Sequence, residues 1–346
     1  MHFVTFYTAT SVRRFPINIE PDPVVVVIPL SGYVNRLQAT ASSSIIAAKL
    51  GWKFLILWNE EKVAASKPTN IFSQEFCQDH LISESEFAIH TGCLSNQIKR
   101  YLHVDTDQGM ISLAGHDHGE QVFMSQLATL LETHKGSIHS LVFRAGGHFY
   151  LPELGTHPDK GATTAREERA QWYQKLKLHP SIESAVSAEY GSRSPYLALH
   201  LRYTDRSHQA PSTRTIKRAL RSLARSTGIR SIFIASDNPR ARDKWCDRVV
   251  KLGLEPWSIE HTIWDRAHPN SAHPALIDWR LLGKSQALVY FAESSFAHEA
   301  AVATGNFDLC FGLKTNKFSF AWSKMRKGLT AFISYPSRHK WFRSDS

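Results

Sequence analysis

Only four cysteines occur in 346 residues. Cys77, Cys93, Cys246 and Cys310 stand far apart and form no C-x-x-C pair, so neither a disulfide framework nor a cysteine zinc site is indicated. They read as buried thiols of a protein in a reducing, cytoplasmic setting. Long apolar runs are also missing. None approaches the ~20 residues that span a bilayer, so no transmembrane segment is expected. The opening MHFVTFYTATSVRRFPINIEPDP makes a poor secretory leader, because Arg13 and Arg14 follow its short apolar part instead of preceding it.

Acidic residues are scarce in one half alone. Residues 1–190 hold 16 Lys and Arg against 19 Asp and Glu, whereas residues 191–346 hold 25 against 12. Only the second half, at a net +13, calls for an anion: a nucleotide diphosphate, a nucleic acid or an acidic membrane. At this length two domains are expected. The GSRSP stretch at 191–195 marks their boundary, giving domains 1–190 and 191–346.

Each half alternates strand and helix. VVVVIPL (24–30) is the β-branched run of a strand buried on both faces. After Gly32 comes a helix of small and apolar residues ending at Gly51, then a second strand, WKFLILW (52–58), and later SLVFRAG (140–146). Residues 60–135 mix short helices with polar loops. His116 and His118 in GHDHGE lack a third ligand and read as solvent-facing, so no metal site is assigned. Residues 166–194 read as helix, proline break, helix.

The second half gives strands YLALHLR, SIFIASD and ALVYFAE. Its helices begin at STRTIKRALRSLARSTG (capped by Ser212, closed at Gly228), PRARDKWCDRVVKLG, PALIDWRLLGKS and FAHEAAVATG. The fold class expected is α/β: two Rossmann-like, doubly wound domains facing a cleft.

In open parallel sheets ligands bind beyond the carboxyl ends of the strands. Three strand tips of the second half carry chemistry there: His200, Arg202 and Asp205 after the first, Asp237 after the second, Ser294 and Ser295 after the third. Arg202 offers a permanently charged planar fork suited to phosphate. The two serines open a helix whose first amides favour an anion. Asp237 and His200 suit the hydrogen-bonding edge of a base. Singly, each is ordinarily a salt bridge, a cap or a core histidine; the reading rests on all three tips together. In the first half, SGYVNRLQ places Asn35 and Arg36 at a helix start, but it is neither a P-loop nor G-x-G-x-x-G.

With these residues assembled, the chain resembles the fucosyltransferase superfamily: the nodulation-type and α1,6-, the α1,2- and the protein O-fucosyltransferases. HLRYTD is similar to the family's H-x-R-R-x-D, IFIASDNP to I-F-x-A-T-D-x-P, AESSFAHEAA to S-S-F-x-x-x-A, and SGYVNRLQATASSSIIAAKLGWKFLILW to the family's glycine-rich opening. The resemblance implies a GT-B pair of domains, GDP-fucose as donor, no metal or other cofactor, inversion at the sugar carbon, and a glycan or other hydroxyl acceptor on the first domain. It implies Arg202 on the β-phosphate, His200 and Asp237 at guanine, Ser294, Ser295 and Phe296 along the diphosphate, and Asn35 and Arg36 near the sugar. Two departures stand out. Tyr203 replaces the motif's second arginine, and the opening keeps one glycine. The glutamate base of some relatives is absent, leaving His208 or Asp205 as substitute.

The alternative is a catalytically inactive relative that binds nucleotide or glycan without turnover. A nucleic-acid binder is the third reading, drawn from Arg214, Lys217, Arg218, Arg221 and Arg225 at helical spacing. With no RRM, KH or helix-turn-helix pattern present, a solvated basic face is expected instead, and no nucleic-acid partner.

Overall fold

A computed structural model of the protein describes residues 22–98, 101–106, 109–113, 120–134, 136–151, 158–204 and 210–314. The chain divides into two compact units between Lys177 and Leu178.

The first unit opens with β1 (Val24–Pro29), α1 (Tyr33–Leu50) and β2 (Lys53–Ile56). Every residue of β1 is buried, because Val25 and Val27 enter one apolar cluster while Val24, Val26 and Ile28 enter another on the opposite face. Small residues on α1 (Ala39, Ala41, Ser42, Ser43) are buried too, and Gly51 ends the helix at a left-handed φ of 70°. Two short helices follow, α2 (Gln74–His80) and α3 (Glu84–Thr91), the latter opened by a capping box between Ser83 and Glu86.

Next come β3 (Tyr101–Thr106), β4 (Gly109–Leu113), α4 (Glu120–Thr133) and β5 (Ile138–Ala145). The sheet order is β2-β1-β5-β3-β4. β1 is parallel to β2 and β5, as the β-α-β pattern predicts, but β3 and β4 are antiparallel additions at one edge that the sequence did not announce. At the carboxyl ends of β1 and β5 the backbones come close: a Cβ on Gly146 would sit 2.9 Å from the Leu30 carbonyl oxygen. α5 (Pro158–Lys175) closes the unit by packing on α1, with a Lys49–Glu168 ion pair at 2.8 Å.

The second unit begins earlier than expected, with α6 (Pro180–Arg193). It continues through β6 (Leu197–Leu201), α7 (Thr213–Thr227), β7 (Ser231–Ser236), α8 (Pro239–Val250), β8 (Glu255–Trp257), α9 (Ala272–Gly283), β9 (Ala287–Phe291), α10 (Ser295–Ala303) and β10 (Phe311–Leu313). Placing the boundary at 190/191 would cut α6 from its partners. Glu183 of α6 takes the Arg280 guanidinium of α9 at 3.0 Å, and Ser181 meets His273 at 2.8 Å.

All five strands of the second sheet are parallel, in the order β10-β9-β6-β7-β8. Leu197, Leu199 and Leu201 of β6 join Ile216, Ala219, Leu220 and Leu223 of α7 and Trp245 and Val249 of α8 in one core. Full burial of each larger aliphatic side chain contributes about 1.5–3 kcal/mol. Ser212 caps α7, and Gly228 ends it at φ 72°, both as the sequence predicts. Among the described residues no helix is long and apolar enough to cross a membrane. The architecture is α/β.

Candidate functional site at the switch point of the second sheet

The order of the second sheet fixes where a ligand belongs. From β6 the chain steps outward to β7 and β8, then returns to the other side of β6 for β9 and β10. The direction of winding reverses between β6 and β9, and the crevice beyond the carboxyl ends of such a pair is where open α/β sheets bind ligands. Arg202 directly follows β6, and Ser294 to Phe296 follow β9 after two intervening residues.

The two tips touch. The His200 ring stacks on Phe296 with centroids 5.2 Å apart and planes at 29°. His200 is 5% exposed, and its Nδ1 is buried without a hydrogen-bond partner among the described residues. Such an unpaired atom costs about 1–3 kcal/mol, a cost that a ligand hydrogen bond would offset. Ser294 is buried and caps α10, its Oγ accepting from the Ala297 amide at 3.4 Å. The first-turn amides of Ser295 and Phe296 stand at the positive end of the helix. Arg202 is half-buried, and its charge is felt at His200.

Burial first, and the Arg202 charge second, hold the His200 imidazole down to about 3. It is therefore neutral at physiological pH and keeps one ring nitrogen as an acceptor. Unfolded, the ring protonates near 6.5. Its contribution to stability is thus complete above about pH 6.5 and is lost as pH falls toward about 3, at no more than about 1.4 kcal/mol per pH unit. Urea unfolding at about pH 7 and about pH 5 should show this loss in the wild type and a smaller one in His200→Gln. Equal losses would mean that the ring is solvated.

Asp237 lies at the tip of β7 but is turned toward the neighbouring loop. Its Oδ1 accepts from the Tyr203 amide at 2.8 Å and the Thr204 amide at 3.3 Å, while Thr204 Oγ1 donates to the Asp237 carbonyl at 2.9 Å. The carboxylate expected to read guanine thus fixes the two residues after Arg202. Among the described residues Oδ2 accepts a single long bond, at 3.4 Å, and retains acceptor capacity. Tyr203 points away from the tips: its hydroxyl takes the Trp245 Nε1 proton at 3.3 Å and its ring meets Phe291 edge-on at 5.5 Å. Asp205 and His208 lie outside the described residues, as do His116 and His118.

In the first unit, Asn35 Nδ2 donates to Ser31 Oγ at 3.1 Å in the turn between β1 and α1. Arg36, expected near the sugar, is held inside the first unit. It is 0% exposed, donates from Nε to the Ser31 carbonyl at 2.9 Å and from Nη1 to the Asn59 carbonyl at 2.7 Å, and has Nη2 3.4 Å from Glu61. Its guanidinium lies 4.7 Å from the centroid of the Trp58 ring. Burial pulls its pKa below the ordinary value, and the Glu61 charge opposes that shift.

One polar pair escaped the sequence reading. His261, just beyond β8, bonds Asp278 of α9 through Nε2 at 2.8 Å, and Arg242 donates to the Ile259 carbonyl at 3.0 Å. Burial raises the Asp278 pKa, with His261 and then Arg242 opposing. The available signal was a lone carboxylate within the apolar run LIDWRLL. Among the described residues no three His, Cys, Asp or Glu side chains gather as a metal site would require.

Neither a protein-family model nor a curated protein matches the chain at the level of sequence. Solved structures do match. The NodZ α-1,6-fucosyltransferase soaked with GDP-fucose superposes with a TM-score of 0.51 at 14% identity, over 82% of this chain and 93% of that one. The same enzyme co-crystallised with GDP gives 0.50 at 14% identity, over 81% and 92%. A mutant of Arabidopsis thaliana FUT1 in complex with GDP gives 0.53 at 16% identity, over 84% and 70%. The likeness is one of fold: the chain has a GT-B-like α/β architecture similar to that of these enzymes.

Proposed function

We propose that the chain is an inverting, metal-independent glycosyltransferase that moves fucose from GDP-fucose to a hydroxyl of a glycan or other acceptor. The observation that carries this reading is the buried His200 Nδ1 at the switch point, without a hydrogen-bond partner among the described residues, on a ring that stacks on Phe296 of α10 and feels the Arg202 charge. The similar structures were solved with GDP-fucose or GDP.

In this reading the second unit holds the donor. Arg202 and the Ser295 and Phe296 amides face the diphosphate, and neutral His200, backed by Phe296, accepts a hydrogen bond from the base. The acceptor oxygen forms its bond to the sugar carbon on the side opposite the diphosphate. The bond from that carbon to the phosphate oxygen breaks, and GDP leaves with the electron pair. Arg202 and the helix start stabilise the charge that develops on GDP, the part a divalent cation plays elsewhere. The acceptor proton passes to His208, Asp205 or water. Nothing in this scheme requires nucleic acid.

A second reading, nucleotide binding without turnover, draws on the inward packing of Tyr203, which leaves Arg202 the only arginine of its motif at the tips. Calorimetric titration with GDP, GDP-fucose and UDP, without added metal, tests both. GDP-selective binding is expected. GDP release from GDP-fucose in the presence of acceptor then separates an enzyme from a binder. If no nucleotide binds, the donor reading falls.

A further inference from the structure

The donor reading leaves the outer face of α7 without a task. Five of the fifteen residues of this helix are basic and none is acidic. Arg214, Lys217, Arg218, Arg221 and Arg225 share roughly 100° of the helix circumference and extend over about 16 Å. Ile216, Ala219, Leu220 and Leu223, on the opposite side, are buried in the core. The four arginines are exposed and Lys217 is half-buried. Among the described residues none of the five has an ion pair, and the sequence offers no acid at i±4 within the helix to balance them. Arg214 with Arg218, Lys217 with Arg221, and Arg221 with Arg225 repel at i, i+4. An anion lying on such a face would relieve it.

The form of the stripe and its place restrict that anion. α7 follows β6, so Arg214 in its first turn stands at the end of the sheet where Arg202 lies, and the stripe runs from there along the outside of the unit. A chain with one end at the site can follow it. A line of charges fits a linear polymer better than a planar membrane. Arginine forks suit carboxylate and sulfate. α7 contains no aromatic residue, hence no platform on which bases would stack, and this disfavours a nucleic acid.

We propose that the α7 stripe binds an acidic polysaccharide and that the acceptor is an anionic glycan. This rests on the glycosyltransferase reading above. The test uses the full chain, titrated with galacturonate oligomers, uncharged chitin oligomers, a single-stranded oligothymidylate of equal charge, and vesicles containing phosphatidylserine. GDP is titrated in parallel. The galacturonate oligomers should bind most tightly, and more weakly as salt rises. Arg218→Glu/Arg221→Glu/Arg225→Glu should lower that affinity at least tenfold, roughly, while GDP affinity stays unchanged. Should that variant not fold, Arg218→Gln/Arg221→Gln/Arg225→Gln removes the charge without reversing it.

Stronger binding of chitin, oligothymidylate or vesicles overturns the proposal, as does unchanged galacturonate affinity in a folded variant. GDP binding without galacturonate binding overturns it and leaves the donor reading standing. Galacturonate binding without GDP binding removes the donor reading, and the acceptor assignment with it.

Discussion

Replacing Arg202 with alanine is expected to lower GDP affinity by about 100-fold or more, the largest effect of any single change at the strand tips. Truncating one member of a desolvated charge pair costs about 2–5 kcal/mol, most of it from the partner charge left uncompensated. A diphosphate would suffer that loss here, because among the described residues of the second unit the other positive element at these two tips is a helix start, equivalent to about half a charge. Tyr203, where the family motif has a second arginine, is occupied with Trp245 and Phe291 and supplies none. Arg202→Lys should fall between: the charge remains, but the fork that pairs two oxygens is gone. Calorimetry on both variants, with folding checked by circular dichroism, reads this directly. GDP affinity within threefold of wild type in folded Arg202→Ala would remove Arg202 from the site.

The same variant also acts on His200. The Arg202 charge is the second cause of the depressed imidazole pKa, after burial. In Arg202→Ala the pH range over which stability is lost should narrow slightly from its acid side, and burial should keep the ring neutral at pH 7. A His200 that titrated near neutrality in this variant would mean that the arginine, and not burial, governs the ring.

How much of this could be read from residues alone depends on what each feature bonds to. Strands with β-branched or leucine-rich runs, such as β1 and β6, were legible, as were the caps at Ser212, Gly228 and Ser294, because their signals are local. The placing of His200, Arg202, Ser294, Ser295 and Phe296 at one end of the sheet was legible too, since parallel alternation puts every strand tip there. β8 (EPW) and β10 (FGL) were not, because three residues containing proline or glycine show no period. β3 was hidden by His103 and Thr106, polar residues in buried positions. Asp237 was found, but its bonds to the Tyr203 and Thr204 amides were not, since backbone partners leave no mark in sequence. The domain boundary slipped because the ion pair that assigns α6, between Glu183 and Arg280, joins residues 97 apart.

Arg36 is the sharpest case, and the second large effect is expected there. The resemblance assigns it to the donor sugar, whereas the structure buries it as the clamp of the first unit. One guanidinium joins the turn after β1, through the Ser31 carbonyl, to the segment after β2, through the Asn59 carbonyl. Ser31 itself stands at φ 71°, a left-handed conformation that costs a non-glycine residue about 1–2 kcal/mol and persists only where its surroundings hold it. Arg36→Ala would leave two carbonyls with unmet acceptors, a cavity under Trp58 and a released strained turn. A loss of about 3–5 kcal/mol in unfolding free energy is expected for the first unit. Arg36→Met refills the cavity but not the hydrogen bonds, and should recover part of it. Because Asn35 bonds to Ser31 in the same turn, its side chain should lose its fixed position in both variants. Denaturant melts of wild type, Arg36→Ala and Arg36→Met, with GDP affinity measured on each folded protein, separate the two roles. Reduced stability with GDP affinity intact is the signature of a clamp; intact stability with lost GDP affinity would return Arg36 to the donor.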